Sequence, residues 1–212
     1  MSGRTLVVDF DGTITEQDLL DESALTFGDE AVSKEVDEGL DDHSLTLNEV
    51  IRREFEPVRA PLDEVRGWVL ENVRIRPGFR EVVELARERG WRFVIVSSGF
   101  RELIEPVLER ENLEGIEVLS NTVDADPDGW KVRFRVSEAC ETCGQPCKRS
   151  TAAALADGSE LVYVGDGYSD RCAAESADLV FARRGLATYL EGQGVPFERF
   201  EDFHSIARRL AS

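Results

Sequence analysis

No apolar run in the sequence approaches the roughly twenty residues that a membrane-spanning helix needs, so nothing in it is expected to cross a bilayer. The start, Met1 to Thr5 followed by the short run Leu6-Val7-Val8, lacks the long apolar stretch and small-residue cleavage site of a secretory leader, and a cytoplasmic location is expected. Positive charge is also scarce: 25 basic residues face 43 acidic ones, for a formal net charge of −18. Such a chain repels phosphate backbones and anionic lipid, which argues against nucleic-acid or membrane partners and leaves any anionic ligand to a local group of cations. Lysine is rarest among those cations, with only Lys34, Lys131 and Lys148, so a lysine at a special place suggests that a compact point charge is wanted there. No internal repeat, low-complexity tract or Pro/Gly/Ser-rich linker divides the 212 residues, which suit one domain carrying an insertion.

What is present alternates. Residues 4 to 10 form a β-branched apolar run that ends in acids and Gly12, and this predicts a buried strand opening into a loop. Further buried strands are expected at Arg92 to Ser97, Ile116 to Leu119, Glu160 to Val164 and Asp178 to Phe181, with a hairpin over 121 to 136 projecting from the sheet edge. Helical spacing marks Phe79, Val82, Val83 and Ala86, the stretch 101 to 111 and residues 148 to 156. From about 16 to 75 the text is helical and charge-rich without a clear strand, which reads as an insertion. Strands alternating with helices imply an α/β fold, a parallel sheet covered on both faces, with ligands at the carboxyl ends of its strands.

Polar clusters fall at those ends: Asp9-Phe10-Asp11-Gly12-Thr13, then Ser97-Ser98-Gly99, then Lys148, then Gly165-Asp166-Gly167 with Asp170. This set in this order resembles the haloacid dehalogenase superfamily of phosphohydrolases. The resemblance implies a Rossmann-like core of residues 1–15 and 76–212 and a small helical cap of residues 16–75 inserted after the first strand. It also implies a Mg²⁺-dependent phosphomonoesterase acting on a small phosphorylated metabolite. Phosphate monoesters hydrolyse extremely slowly unaided, with enzyme accelerations up to about 10²¹-fold, and a carboxylate nucleophile with a metal divides that barrier. Asp9 corresponds to the nucleophile and Asp11 to the general acid and base. Ser97 and Lys148 correspond to the phosphoryl-holding pair, helped by the backbone around Ser98 and Gly99. The metal set is Asp9, Asp166 and the Asp11 carbonyl, with Asp170 supporting from an outer position or through water.

The layout resembles the phosphoserine phosphatase branch and, more closely, the 2-hydroxy-3-keto-5-methylthiopentenyl-1-phosphate phosphatases of methionine salvage, which share a cysteine-rich stretch before the lysine. In the phosphoserine branch a glutamate and a cap arginine hold the substrate's amine and carboxylate, and by spacing these fall on Asp18 and Arg53. The acid is one methylene short, which favours the methionine-salvage type or another small metabolite. Two other classes use parts of the same set. A non-catalytic divalent-metal module would need neither Ser97 nor Lys148, and a phosphotransferase or mutase would pass the phosphoryl group to a sugar. Cys140, Cys143 and Cys147 fall within eight residues just before Lys148. They offer three ligands of a structural Zn²⁺ site, if His43, Cys172 or an acid completes it, or else a reduced thiol cluster or a disulfide-forming pair.

Overall fold

The computed structural model describes residues 3–212, so Met1 and Ser2 of the expected core segment lie outside the described residues. Among the described residues seven strands form one sheet: β1 (Arg4–Val8), β2 (Arg92–Phe100), β3 (Glu117–Asp126), β4 (Gly129–Arg133), β5 (Glu160–Gly165), β6 (Leu179–Ala182) and β7 (Glu198–Arg199). Their order is β4-β3-β2-β1-β5-β6-β7, parallel throughout except for the antiparallel β3/β4 hairpin. The chain therefore winds outward in both directions from β1, and the crevice where the winding reverses lies at the carboxyl ends of β1, β2 and β5.

Strand residues alternate between two apolar layers, which is why each central strand reads as an unbroken hydrophobic run. Leu6, Val8, Ile95, Val162 and Val164 pack into one layer, and Val7, Val94, Val96, Leu161 and Tyr163 into the other. Helices α5 (Phe79–Glu88), α6 (Arg101–Arg110) and α10 (Phe203–Ala211) cover the first face. The second is covered by α7 (Arg149–Ala156), α8 (Arg171–Ala174) and α9 (Arg184–Gln193).

Between β1 and β2 stand α1 (Leu19–Phe27), α2 (Glu30–Asp41), α3 (Leu47–Phe55) and α4 (Leu62–Asn72). The chain enters and leaves this helical segment at one place, where Thr15 and Ile75 form an antiparallel bridge and Glu16 N donates to Arg74 O at 2.9 Å. Helix α3 begins at a capping box in which Thr46 and Glu49 satisfy each other's backbone N–H groups. Its apolar residues Ile51 and Phe55, with Val65 and Val69 of α4, join the same core layer as Leu6 and Val8. Pro106 inside α6 cannot donate to the carbonyl of Glu102 four residues earlier, and Arg66 of α4 takes that carbonyl at 3.0 Å. An apparent helix defect thus becomes a docking point for α4.

The third expected strand and the first arm of the hairpin are one strand: β3 pairs with β2 at its beginning and with β4 from Thr122 onward. The hairpin turns over at Asp126 to Gly129 and extends the sheet, and Trp130 on β4 returns to the helical segment. Its indole lies 6.0 Å from the Phe55 ring and 6.4 Å from the Phe100 ring, and its N–H donates to Ala60 O at 3.0 Å. The two-residue β7 was beyond the reach of periodicity, since two residues show no period. Among the described residues no helix is long and apolar enough to cross a membrane.

Trp130 ties sheet edge to helical segment with its side chain 2% exposed. Trp130→Ala is expected to cost about 3–5 kcal/mol of unfolding free energy, measured by urea denaturation. A loss under about 1 kcal/mol, the level of an ordinary surface change, would contradict that role.

Candidate active site

Every residue type in the first cluster answers a local requirement. Beyond β1, Asp9 N continues the ladder by donating to Val164 O at 2.9 Å, which fixes the backbone of Asp9 beside β5. Gly12 turns the chain with φ +68°, and a Cβ there would overlap the Asp166 carboxylate. Arg76, 7% exposed, gathers the carbonyls this tight loop leaves over: its Nε donates to Thr13 O at 2.9 Å and its Nη2 to Gly12 O at 3.0 Å and Thr15 O at 2.9 Å. Arg183 adds a bond to Gly12 O at 2.8 Å.

Four segments meet over this loop. Lys148, 4% exposed, donates to Asp9 Oδ1 and, at 2.8 Å, to Asp170 Oδ1. Tyr163 OH donates to the same Asp170 oxygen at 2.8 Å, and the N–H groups of Asp166 and Gly167 reach Asp170 Oδ2 at 3.0 and 3.1 Å. Both oxygens of Asp170 are therefore engaged, and it acts as the post against which Lys148 and the Gly165-Asp166-Gly167 loop are set. Thr13 Oγ1 donates to Asp166 Oδ1 at 3.2 Å, while Arg184 approaches Asp166 Oδ2 at 3.6 Å. On the other side Ser97 Oγ donates to Asp11 Oδ2 at 2.9 Å and accepts from Gly99 N at 2.8 Å. Asp11 Oδ1 is buried without a hydrogen-bond partner.

Two cavities open from the cluster. The smaller, about 200 Å³, is lined by Asp9, Asp11, Asp18 and Asp166 under Ile51 of α3. The larger, about 570 Å³, has Ser97 and Lys148 at its inner end and Asn48, Asn121 and Arg135 among its walls. They share Leu47, Ser98, Tyr168 and Ser169, so they form one cleft. Oxygens of Asp9, Asp166 and Asp170 lie within 4.8 Å of one another. Buried carboxylate oxygens that close, with one lysine between them, are the donor set of a hard divalent cation such as Mg²⁺. Since Asp170 is fully bonded, Asp9 and Asp166 are the side chains that fit as direct ligands.

The haloacid dehalogenase-like hydrolase family matches residues 6–175. The chain belongs to this family. It is 32% identical over 217 residues to the polyol phosphate phosphatase PYP1 of Saccharomyces cerevisiae, across 95% of this chain and 90% of that one. To the 2-hydroxy-3-keto-5-methylthiopentenyl-1-phosphate phosphatase of Exiguobacterium sibiricum it is 30% identical over 214 residues, across 97% and 95%. A solved structure described as a phospho-aspartyl intermediate analogue of phosphoserine phosphatase superposes with a TM-score of 0.74, covering 99% of each chain at 19% identity, a likeness of fold.

In this hydrolase Asp9, Asp11, Asp18, Ser97, Ser98, Lys148 and Asp166 all line the cleft, and Asp170 stands directly behind it. Gly99 sits so close that a Cβ would meet Asp11 Oδ2 at 2.6 Å. Asp18 caps α1 by accepting from Asp21 N at 3.1 Å and faces the smaller cavity. Arg53, expected to reach the substrate, lines neither cavity. The α3 face toward the cleft carries Leu47, Val50, Ile51 and Glu54, spaced by three and four, and Arg53 lies off that stripe. Its guanidinium instead meets Glu35 at 3.4 Å with 45% of the side chain exposed. Residues that sequence reasoning passed over are Tyr163, Arg76, Arg183 and Arg184. Tyr163 carried one signal, a lone hydroxyl within the buried run of β5. The arginines carried none among so many others.

Burial sets the electrostatics. Asp11 is pushed up to about 7 by burial and then by the nearby Asp18 charge, against the Ser97 hydrogen bond. Asp166 is also pushed up to about 7, by burial and then Asp170. Asp9 rises well above the ordinary 3.8 through burial and then Asp170, although Lys148 pulls it down. For Lys148 burial favours the neutral amine, but the Asp170 and Asp9 carboxylates win and keep it charged.

A carboxyl whose pKa is higher in the folded chain than in the unfolded one gives stability that is complete below its unfolded value and lost as pH rises through its folded value. The metal-free protein should therefore lose stability between about pH 4 and pH 7, as Asp11 and Asp166 are forced to ionise. A divalent ion bound there would remove that repulsion, so the rise in melting temperature on adding MgCl₂ to chelated protein is expected to grow with pH across this interval. A magnesium effect equal at both ends would refute the assignment of the raised values to this cluster.

Proposed function

We propose that the protein is a Mg²⁺-dependent phosphomonoesterase that works through an aspartyl-phosphate on Asp9. The observation that carries this reading is the pairing of Asp9, held by Lys148 in the same cleft, with Asp11, whose Oδ1 has no partner and whose pKa is about 7. An acid poised near neutrality can give a proton in one step and take one in the next.

The Asp9 carboxylate attacks phosphorus as the bond to the ester oxygen breaks, and Asp11 gives that oxygen its proton. Water then attacks the aspartyl-phosphate and loses a proton to the Asp11 carboxylate. Inorganic phosphate leaves and Asp9 is restored. Lys148 offsets the charge of Asp9 and the phosphoryl group together, and the Ser97 hydroxyl turns from Asp11 to a phosphoryl oxygen. Asp9, Asp166 and the Asp11 carbonyl, with Asp170 behind, would hold a magnesium ion, which would supply positive charge to neutralise the phosphoryl group.

For the leaving group the larger cavity offers the Asn48 amide and the Ser98 and Tyr168 hydroxyls beside Leu47 and Val136, while the Asn121 amide is spent on Ser98 O at 2.7 Å and Arg135 N at 3.0 Å. Such walls suit a short carbon chain that carries hydroxyl or keto oxygens. Two of the relatives carry names of that kind, a polyol phosphate phosphatase and a 2-hydroxy-3-keto-5-methylthiopentenyl-1-phosphate phosphatase. The methionine-salvage type is the first candidate substrate. Phosphoserine is disfavoured because Arg53, the group that would hold its carboxylate, pairs with Glu35 and lines neither cavity.

Turnover of p-nitrophenyl phosphate with Mg²⁺ is expected, and Asp9→Asn should abolish it; near wild-type rates in that variant would remove the covalent mechanism. Asp11→Asn should slow hydrolysis by about 10²–10⁴-fold, the usual worth of an acid-base group. In a panel of phosphorylated metabolites the hydroxy-keto and sugar-alcohol phosphates should exceed phosphoserine in kcat/KM by at least about tenfold, or 1.4 kcal/mol. A preference for phosphoserine would overturn the substrate assignment while leaving the chemistry intact.

A further inference from the structure

All four cysteines of the chain converge at one place outside the carboxylate cluster. Cys140, Cys143 and Cys147 stand between β4 and α7, Cys172 stands in α8, and one sulfur from each lies within 4.8 Å of the others. Cys140 and Cys172 are 32 positions apart in sequence, yet their sulfurs are 3.9 Å apart.

That spacing discriminates between chemistries. A disulfide holds its sulfurs about 2.05 Å apart. Four sulfurs at about 2.3 Å from a tetrahedral zinc ion are separated by about 3.8 Å, the edge of the tetrahedron. The Cys140–Cys172 distance rules out a disulfide between that pair and is close to the second, and the whole group of four lies within 4.8 Å. Ordinary packing does not account for the group either, because Cys143 is exposed and Cys140 and Cys147 are only half-buried.

The backbone is shaped to the same end. Gly144 N donates to Cys140 O at 2.8 Å and Cys140 N to Gln145 O at 2.9 Å, which closes the first two cysteines into a tight knuckle. Within it Thr142 N points at Cys140 Sγ from 3.4 Å, a contact that favours the ligating thiolate. A zinc ion with four thiolates keeps two negative charges, and the Arg149 guanidinium lies 3.9 Å from Cys172 Sγ to meet them.

We propose that Cys140, Cys143, Cys147 and Cys172 hold a structural zinc ion that clamps the segment bearing Lys148 to the segment bearing Asp170. Lys148 directly follows Cys147, and Asp170 precedes Cys172 by two residues. Between the two runs the buried bond from Lys148 Nζ to Asp170 Oδ1. With four protein ligands the ion has no open position, so its work is to hold and not to catalyse. The zinc site does not rest on the phosphatase reading.

The test is metal analysis of the full-length protein purified under reducing conditions without chelators. One zinc per chain is expected, and after exchange the cobalt form should show intense red d–d bands and sulfur-to-cobalt charge transfer typical of tetrahedral thiolate. Cys143→Ser, at an exposed position, should bind zinc at least tenfold more weakly while keeping its far-ultraviolet circular dichroism, and Cys172→Ser should do the same where it folds. Stripping zinc should lower the melting temperature, and zinc but not magnesium should restore it. Protein with no zinc, four freely titrating thiols and no cobalt bands would overturn the proposal, as would a disulfide between any two of the four. Asp9→Asn should retain its zinc, so failure of the hydrolytic reading and failure of this one are told apart.

Discussion

Four buried carboxylates, Asp9, Asp11, Asp166 and Asp170, face a single buried lysine at the carboxyl ends of β1 and β5, and the rest of the molecule is arranged around that imbalance. Removing one partner of a buried ion pair typically costs about 3–5 kcal/mol, because the other is left uncompensated in a poor dielectric. The cluster is therefore held from every side: Tyr163 and two backbone N–H groups on Asp170, Thr13 on Asp166, Ser97 on Asp11. What stays unsatisfied is a demand for positive charge beside Asp9 and Asp166. A divalent ion and a phosphoryl group under attack meet that demand in different ways, and a site poised between them is suited to phosphoryl chemistry.

The sheet makes this concentration of charge possible. Because the chain winds outward from β1 in both directions, neighbours separated by more than 150 positions come into contact, as Thr13 and Asp166 do. Arg76 turns the same trick inside the loop itself. Its guanidinium replaces the ladder of hydrogen bonds that Gly12, Thr13 and Thr15 cannot make to a strand.

Much of this was legible in the sequence. Two-layer burial makes the central strands continuous apolar runs, so β1, β2 and β5 announce themselves, and each ends in the polar cluster that the site uses. The helical segment was legible as a change of period between Thr15 and Ile75, the pair that bridges. Contacts set by tertiary geometry were less accessible. Arg53 shares a helix with Val50 and Ile51, and only the azimuth of α3 in the fold decides that it faces Glu35 and not the cleft. Cys172 was one of several candidates to join the other three cysteines, since no local pattern connects α8 to a segment that precedes α7. Tyr163 and Arg76 belong to the same class: their partners are distant in sequence, and a period records only neighbours on one element.

Three glycines touch the carboxylates: Gly12 at Asp166, Gly99 at Asp11 and Gly165 at Asp170, and none of them has room for a methyl group. The floor of the cleft is thus locked to one composition, and so is Asn121, whose amide holds Ser98 O at 2.7 Å, whereas the walls at Asn48 and Arg135 belong to separate segments and bear on no carboxylate contact described above. Directed evolution toward new esters should accordingly leave the three glycines untouched and diversify those wall positions, where variation alters what the cleft admits without disturbing the machinery beneath.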